Sequence, residues 1–176
     1  MFRPQHLLAP IALVATLSAC AHTATVGAFA VDVPKGWEHE AEDADSLGVG
    51  TKHAEWTFML MAFTDAEIEV DKSLDAVGRE AAAELTKDDG DAEGSEGDDV
   101  SMEFDDPKEW SSAGGLRGVV MDGRMGDAQL SVQLKLMIVV SGSNYLLAFG
   151  FRSPDAGPKH DAAMQAMLDS IRLATP

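Results

Sequence analysis

Cysteine and histidine, which commonly act in catalysis or bind transition metals, are few in this chain. It contains one cysteine and five histidines, which are His6, His22, His39, His53 and His160. No pair of histidines has the helical spacing of a zinc site, and no nucleophile elbow, Walker-type loop or dinucleotide-binding glycine motif occurs. We therefore predict no catalytic residues, no cofactor and no metal site, and we expect that the protein is not an enzyme.

One possible acid–base pair means that an enzymatic function is kept as an alternative. His53 and Glu55 lie two residues apart, so on a strand they would share a face and could exchange a proton. Solvated residues at a sheet edge are the simpler interpretation of the same pattern. An envelope enzyme with an unrecognised site would need a deep pocket in which polar groups such as these two converge.

The acidic segment 88–99 is the second candidate site. Its residues are almost all acidic, glycine or serine, which predicts a solvated loop. Residues 89–94 place carboxylates at alternate positions before a glycine, as in the first half of a calcium-binding loop. However, Val100 stands where a bidentate glutamate is expected, and Glu96 stands where an apolar residue is usual. Weak screening by divalent cations is the preferred interpretation, and calcium-dependent structural attachment is the alternative.

The single cysteine ends an apolar N-terminal segment. Residues 7–17 form an apolar run of about 11 residues, which suits a signal peptide and is short of the roughly 20 residues of a membrane span. Leu17, Ser18, Ala19 and Cys20 then follow the order aliphatic, small, small, cysteine. This resembles the lipobox of bacterial lipoproteins. The alternative is ordinary cleavage near Ala19 or Ala21, which would release a free protein.

The lipobox resemblance implies where the protein resides. Residues 1–19 would be removed as a signal peptide, Cys20 would carry the acyl chains, palmitate for example, and residues 20–28 would be the lipidated cysteine and a short tether. Two or more acyl chains hold a protein stably at a bilayer. The next residue is Ala21 rather than aspartate, which in two-membrane bacteria resembles the pattern for export to the outer membrane. We expect a lipid-anchored protein of the cell envelope, at the outer membrane and facing the periplasm or the surface.

Charge excludes one class of partner. The formal net charge is −17, from 13 basic and 30 acidic residues. An acidic surface repels nucleic acid and anionic lipid, and the sequence contains no basic run that could follow a phosphate backbone. We therefore predict no nucleic-acid binding. The expected partners are the membrane, through the lipid, and an envelope protein.

Hydrophobic periodicity predicts one α+β domain over residues 29–173. Its centre is an antiparallel sheet with a three-strand meander, flanked by two main helices. Strands are predicted at 28–33, 52–64, 100–104, 116–125, 129–140 and 145–151, and helices at 71–87 and from about 153–158 to 170. Residues 38–46 read as a loop, and Gly126-Asp127 as a tight hairpin turn.

The order of these elements, together with a few residues in them, resembles the arrangement found in a known family. The residues concerned are Phe29, Val31, Val33, Pro34, Gly36 and Trp37 near the start, Tyr145, Leu146, Leu147, Ala148 and Phe149 in the meander, and Met167, Leu168, Ser170 and Ile171 in the closing helix. In this pattern the chain resembles the PsbP-like family of α-β-α sandwiches, which includes DcrB-type envelope lipoproteins. The family shares no catalytic motif, and its members are mostly accessory or assembly proteins. The resemblance implies a non-catalytic accessory or binding module, although the acidic insert 88–99 is not typical of the family.

Overall fold

The computed structural model describes residues 22–64, 73–86, 101–112, 114–126 and 131–175. The strands are β1 (His22–Val26), β2 (Phe29–Val33), β3 (Trp37–Ala41), β4 (Ser46–Thr51), β5 (Trp56–Thr64), β6 (Ser101–Phe104), β7 (Lys108–Ser111), β8 (Arg117–Gly126), β9 (Ser131–Ser141), β10 (Asn144–Arg152) and β11 (Arg172–Leu173), and the helices are α1 (Leu74–Thr86) and α2 (Pro158–Asp169).

Two antiparallel sheets organise the described residues. The large sheet has eight strands in the order β3-β4-β5-β10-β9-β8-β6, with β7 pairing a separate part of β8. The small sheet has the order β1-β2-β11. The predicted meander is present as β8, β9 and β10, which pair consecutively over most of their lengths. The α+β fold class is confirmed, but the sheet extends well beyond the three meander strands.

The large sheet is covered on both faces, as its two-sided apolar strands require. The small sheet and α2 pack on one face, which we call the α2 face, where Phe58, Leu60 and Leu146 contribute to the largest buried cluster. Helix α1 packs on the other face, the α1 face, through residues such as Val77 and Ala82.

Both predicted helices are present, and local chemistry explains where they lie. In α1, Gly78 allows the helix backbone to come close to the sheet, since a Cβ there would stand 3.1 Å from Val119 Cγ2. Helix α2 begins after Gly157 with Pro158 in its first turn, where a missing N–H costs nothing. No helix in the described ranges is long and apolar enough to cross a bilayer.

The segment that follows Cys20 in sequence differs from its prediction. The expected tether extends to residue 28, but His22–Val26 is a strand that pairs with β2 along its whole length. Ala24 and Val26 are buried, so the tether prediction was wrong from residue 22 onward. The reason is tertiary: a Gly27-Ala28 turn, with Gly27 at φ +53°, folds this polar segment back on β2.

The predicted loop over residues 38–46 was wrong in its first half. Trp37–Ala41 forms β3 and pairs with β4 at the edge of the large sheet. Four of its five residues are exposed, so the strand lacks the apolar alternation by which strands are recognised. The predicted hairpin turn at residues 126–127 lies partly outside the described residues.

Candidate functional site

An open groove of about 1300 Å³ lies at one end of the large sheet, and residues of both faces line it, with Ala82 and Met121 on the α1 face. The pairing register places Trp56, Arg152, Gln133, Arg124 and Glu103 side by side across five strands at this end, on the α2 face. Gln133 and four charged or aromatic neighbours therefore form one polar row beside an otherwise apolar core. We call this region the charged groove.

Asp161, in the first turn of α2, joins this helix to the sheet. Its carboxylate accepts hydrogen bonds from Arg152 Nε at 2.7 Å, Arg152 Nη2 at 3.0 Å and Trp56 Nε1 at 2.9 Å. Arg152 Nη2 also donates to the Ala156 carbonyl oxygen at 2.6 Å. The Arg152 hydrogen bond, opposed by partial burial and supported by Trp56, holds the pKa of Asp161 below its ordinary value.

A second carboxylate belongs to Asp122, which lies two residues before Arg124 on β8 and on the same face of the sheet. It accepts hydrogen bonds from Lys135 on β9 and from Lys108 on β7, the latter at 3.3 Å. The Lys135 side chain is only 15% exposed, so this pair is partly desolvated. Burial acts to raise the pKa of Asp122, but the two lysines outweigh it and the pKa is lowered.

The outer rim of the groove is an exposed ion pair. Arg124 Nε and Nη2 both donate to Glu103 Oε2, at 2.9 and 2.7 Å. The side chains are 72% and 61% exposed, so solvent screens their attraction and the pair contributes little to stability.

The charged side chains of the groove are paired with one another. Its cations Arg124, Lys135 and Arg152 are each paired with a carboxylate, so they present fixed donors beside fixed acceptors. Within the described residues, no three His, Cys, Asp or Glu side chains are arranged to hold a metal ion.

The acid–base pair proposed from sequence does not lie on a strand as predicted. His53 is exposed and Glu55 half-buried in the turn between β4 and β5, not on a strand, and neither residue lines the groove. A hydrogen bond from Thr51 lowers the pKa of Glu55, with smaller contributions from His160 and His53. The Glu55 backbone carbonyl accepts a hydrogen bond from Ser153 N at 2.9 Å, which gives this turn a structural role.

The other described histidines are a stacked pair, His22 and His39, and one partly buried residue, His160. His22 on β1 stacks on His39 of β3, with ring centroids 4.7 Å apart. His160 lies on α2, and its Nδ1 is buried with no hydrogen-bond partner in the part of the chain that the structure describes. Cys20 and the acidic segment 88–99 lie outside the described residues, so their predicted roles stay predictions.

Sequence reasoning missed the groove residues. Trp56 falls within the predicted strand 52–64, but no motif in the sequence marks Trp56, Arg152 or Asp161 as a site residue. The available signal was an arginine that ends an apolar strand, followed nine residues later by an aspartate in the first turn of a helix. That pattern does not reveal Trp56, which is 105 residues away from Asp161 in sequence.

Comparisons with solved structures give the fold of this chain. No family model matches the sequence, and no curated protein matches it. The structure of cyanobacterial PsbP (CyanoP) from Synechocystis sp. PCC 6803 is similar, with a TM-score of 0.60 and 11% identity, over 94% of this chain and 100% of that chain. LpqN of Mycobacterium tuberculosis has a TM-score of 0.54 and 13% identity, over 90% of this chain and 88% of that chain. The chain therefore has a PsbP-like fold, as the resemblance implied.

Proposed function

We propose that the chain is a lipid-anchored protein of the cell envelope, and that its PsbP-like domain is a non-catalytic accessory or binding module. The observation that carries the anchor is the lipobox-like motif at residues 17–20, which stands immediately before a folded body. Strand β1 begins at His22, so a single residue separates Cys20 from it in sequence. A lipid on Cys20 would hold the domain directly against the bilayer.

Two further observations support the envelope and binding roles. LpqN, one of the similar structures, is described as involved in cell envelope biogenesis. In the charged groove, Asp122, Asp161 and Glu103 are engaged by cations from neighbouring elements. Fixed donors and acceptors of this kind favour binding over proton transfer.

Labelling with radioactive palmitate tests the anchor. Wild type should incorporate label and Cys20→Ala should not, because the sulfur is the only predicted attachment point. His22→Ala is the matched control: it alters an exposed residue two positions later and should label like wild type. Equal labelling of wild type and Cys20→Ala, or no labelling of either, would contradict the anchor.

Crosslinking in cells tests the binding role separately. A photoreactive residue placed at exposed Ser131, which lines the charged groove, should capture a discrete envelope protein in wild type. Replacing Arg124, on the groove rim, with glutamate should reduce that capture. Capture that does not depend on Arg124 would remove the groove from the proposal.

A further inference from the structure

One corner of the molecule surrounds the first residues of β1, the strand that follows Cys20 in sequence. The register places His22, where β1 starts, opposite Val33 at the end of β2. The turn after β2, residues 34–36, therefore lies beside this start. The His22 ring also stacks on the ring of His39 with centroids 4.7 Å apart, so the start of β1 is in contact with β3 as well.

The turn that joins β2 to β3 presents a lysine at this corner. Trp37 N–H donates to the Pro34 carbonyl oxygen at 3.1 Å, and Gly36 has φ +83°, as a type II turn requires at its third residue. A Cβ added at Gly36 would meet nothing within 4 Å, so the tip of the turn is open to solvent. Lys35 is exposed beside it.

A second turn, between β4 and β5, lies next to the first and presents another lysine. Thr51 pairs with Trp37 across β3 and β4, and residues paired in this way lie about 5 Å apart. Ala54 N–H donates to the Thr51 carbonyl oxygen at 3.0 Å, and Lys52 is exposed within the turn that this bond closes. We call His22 together with residues 34–37 and 51–54 the anchor corner.

The anchor corner is much less acidic than the chain as a whole. Its two lysines are matched in number by the nearest carboxylates in sequence, Glu38 and Glu55, so the corner is close to neutral, whereas the chain has 30 acidic and 13 basic residues. At the other end of β3 and β4, the turn 42–45 contains three exposed carboxylates and no lysine or arginine. Charge therefore changes along these strands, from near neutral at the anchor corner to acidic at the far end.

The acidic segment 88–99 joins the sheet at a different edge. In sequence it leads to β6, which lies at the edge of the large sheet opposite β3. The strand spacings between these two edges, at about 4.8 Å each, amount to roughly 29 Å, which is several Debye lengths at physiological ionic strength. Charge at this junction is therefore largely screened from the anchor corner.

We propose that the anchor corner is the surface through which the domain contacts a bilayer that contains anionic lipid. Two residues span at most about 7 Å, so a lipid on Cys20 would bring the start of β1 at His22, and this corner with it, to the membrane. Lys35 and Lys52 would then reach the headgroup phosphates, and the half-buried Trp37 ring would lie at the interface, where indole rings are enriched. Repulsion between its carboxylates and anionic lipid turns the far end outward. This inference rests on the proposed lipid anchor and specifies which surface of the domain faces the bilayer.

Quenching of tryptophan fluorescence by brominated phospholipid tests this contact. Cys20 is the only cysteine, so the full chain can be coupled through its thiol to a maleimide lipid in vesicles of brominated phosphatidylcholine and phosphatidylglycerol. The tether is then supplied chemically and does not depend on acylation in cells. Wild type should be quenched, and Trp37→Phe should reduce the quenched fraction at least twofold, because the ring at the interface is lost. Trp110→Phe is the matched control: Trp110 pairs with Gly118 near the opposite end of the sheet, and its replacement should not reduce the quenched fraction.

A charge reversal tests the role of the lysines. Lys52→Glu should reduce the quenched fraction at least twofold in vesicles that contain phosphatidylglycerol, because it places a carboxylate against anionic headgroups. Arg117→Glu is the matched control: it changes net charge equally at an exposed residue where β8 starts, at the opposite end of the sheet, and should leave quenching unchanged. In vesicles of brominated phosphatidylcholine alone, the difference between wild type and Lys52→Glu should be much smaller. Circular dichroism confirms that the variants fold.

Three results would overturn the proposal. Absence of quenching in wild type would show that the domain stands clear of the bilayer and that this corner is left for water or a protein. Quenching that depends on Trp110 instead of Trp37 would show that the opposite end faces the lipid. Equal effects of Lys52→Glu and Arg117→Glu would show that only net charge matters. None of these results affects the palmitate experiment, which reports whether Cys20 is acylated in cells, and a failure of that labelling would leave the quenching experiment unchanged.

Discussion

Asp161 is the residue on which the charged groove most depends. Three donor groups from β5 and β10 converge on its carboxylate, and it belongs to the first turn of α2. The carboxylate therefore fixes the position of the helix on the sheet while it neutralises Arg152. Loss of its charge would leave Arg152, which is only 17% exposed, without its counter-ion.

We expect Asp161→Asn to destabilise the fold by about 1–2 kcal/mol, allowing for the partial exposure of the carboxylate. Urea unfolding followed by tryptophan fluorescence measures the change. Asp155→Asn, at an exposed position just before α2, is the control and should change the free energy of unfolding by less than about 0.5 kcal/mol. Equal effects of the two substitutions would contradict the central role of Asp161.

Gly150 is a second position at which the packing requires one particular residue, in this case glycine. It stands opposite Phe58 on β5, and a Cβ at this position would lie 2.3 Å from Phe58 Cε1. The phenyl ring occupies the space that any side chain would need. In a close-packed interior such an insertion forces the backbone or the ring to shift.

Gly150→Ala should therefore lower the free energy of unfolding by about 1–3 kcal/mol. Gly48→Ala, a glycine substitution in another strand where the added Cβ has room, should be nearly neutral or slightly stabilising. Combining Gly150→Ala with Phe58→Leu should cost less than the sum of the single changes, because the smaller side chain frees space. Additive effects would mean that the ring is not the obstacle.

At the scale of elements, Asp32 ties the small sheet together. Its carboxylate accepts hydrogen bonds from Thr23 Oγ1 of β1 at 2.7 Å and from Arg172 Nη2 of β11 at 2.8 Å. Its own N–H donates to Ser170 Oγ, just after α2. The hydrogen bond from Arg172 lowers the pKa of Asp32, although partial burial opposes it.

This pKa shift predicts a pH-dependent contribution. Because the folded-state pKa lies below the unfolded value of about 3.9, the stabilisation is present above that pH and is lost as pH falls through the folded pKa. Asp32→Asn should therefore cost about 0.5–1.5 kcal/mol at pH 7 and progressively less below about pH 4. Thermal unfolding at several pH values measures this. A cost that does not change with pH would show that the charge is irrelevant.

Elements with strong internal periodicity could be predicted from the sequence, and elements defined by their neighbours could not. The first half of β9 alternates apolar and polar residues, β10 is a nearly continuous apolar run, and both helices carry an apolar stripe, so the existence of these elements follows from the pattern. Strand β3 lies at the edge of the large sheet, and four of its five residues are exposed, so it shows no apolar stripe. Strand β1 is short, and its two buried residues, Ala24 and Val26, are buried in the cluster that also contains Leu60 of the large sheet.

Predicting the charged groove would have required the strand register as well as the elements. The charged groove joins residues on five strands and α2, and sequence gives no indication that Trp56 lies beside Asp161. Which face of a strand is covered depends on where the helix packs on the sheet. The periodicity within one strand does not reveal the position of the helix.

At the scale of the whole molecule, the dominant property is charge. A net charge of −17 in 176 residues makes the folded state repel itself, and the acidic segment 88–99 concentrates part of that charge. Salt should relieve the repulsion by screening, so the melting temperature should rise with ionic strength. A bound calcium ion would act differently, because it stabilises by mass action at low concentration.

The two effects separate when calcium chloride and sodium chloride are compared at equal ionic strength. We expect equal melting temperatures at 1 mM calcium, since Val100 lacks the carboxylate that would complete a calcium loop. Replacing Asp89 and Asp91 with asparagine should then raise the melting temperature slightly in both salts, by lowering net charge. An excess stabilisation by calcium that disappears in this double variant would instead support a specific ion site in segment 88–99, and calorimetry would show heat of binding in the wild type alone.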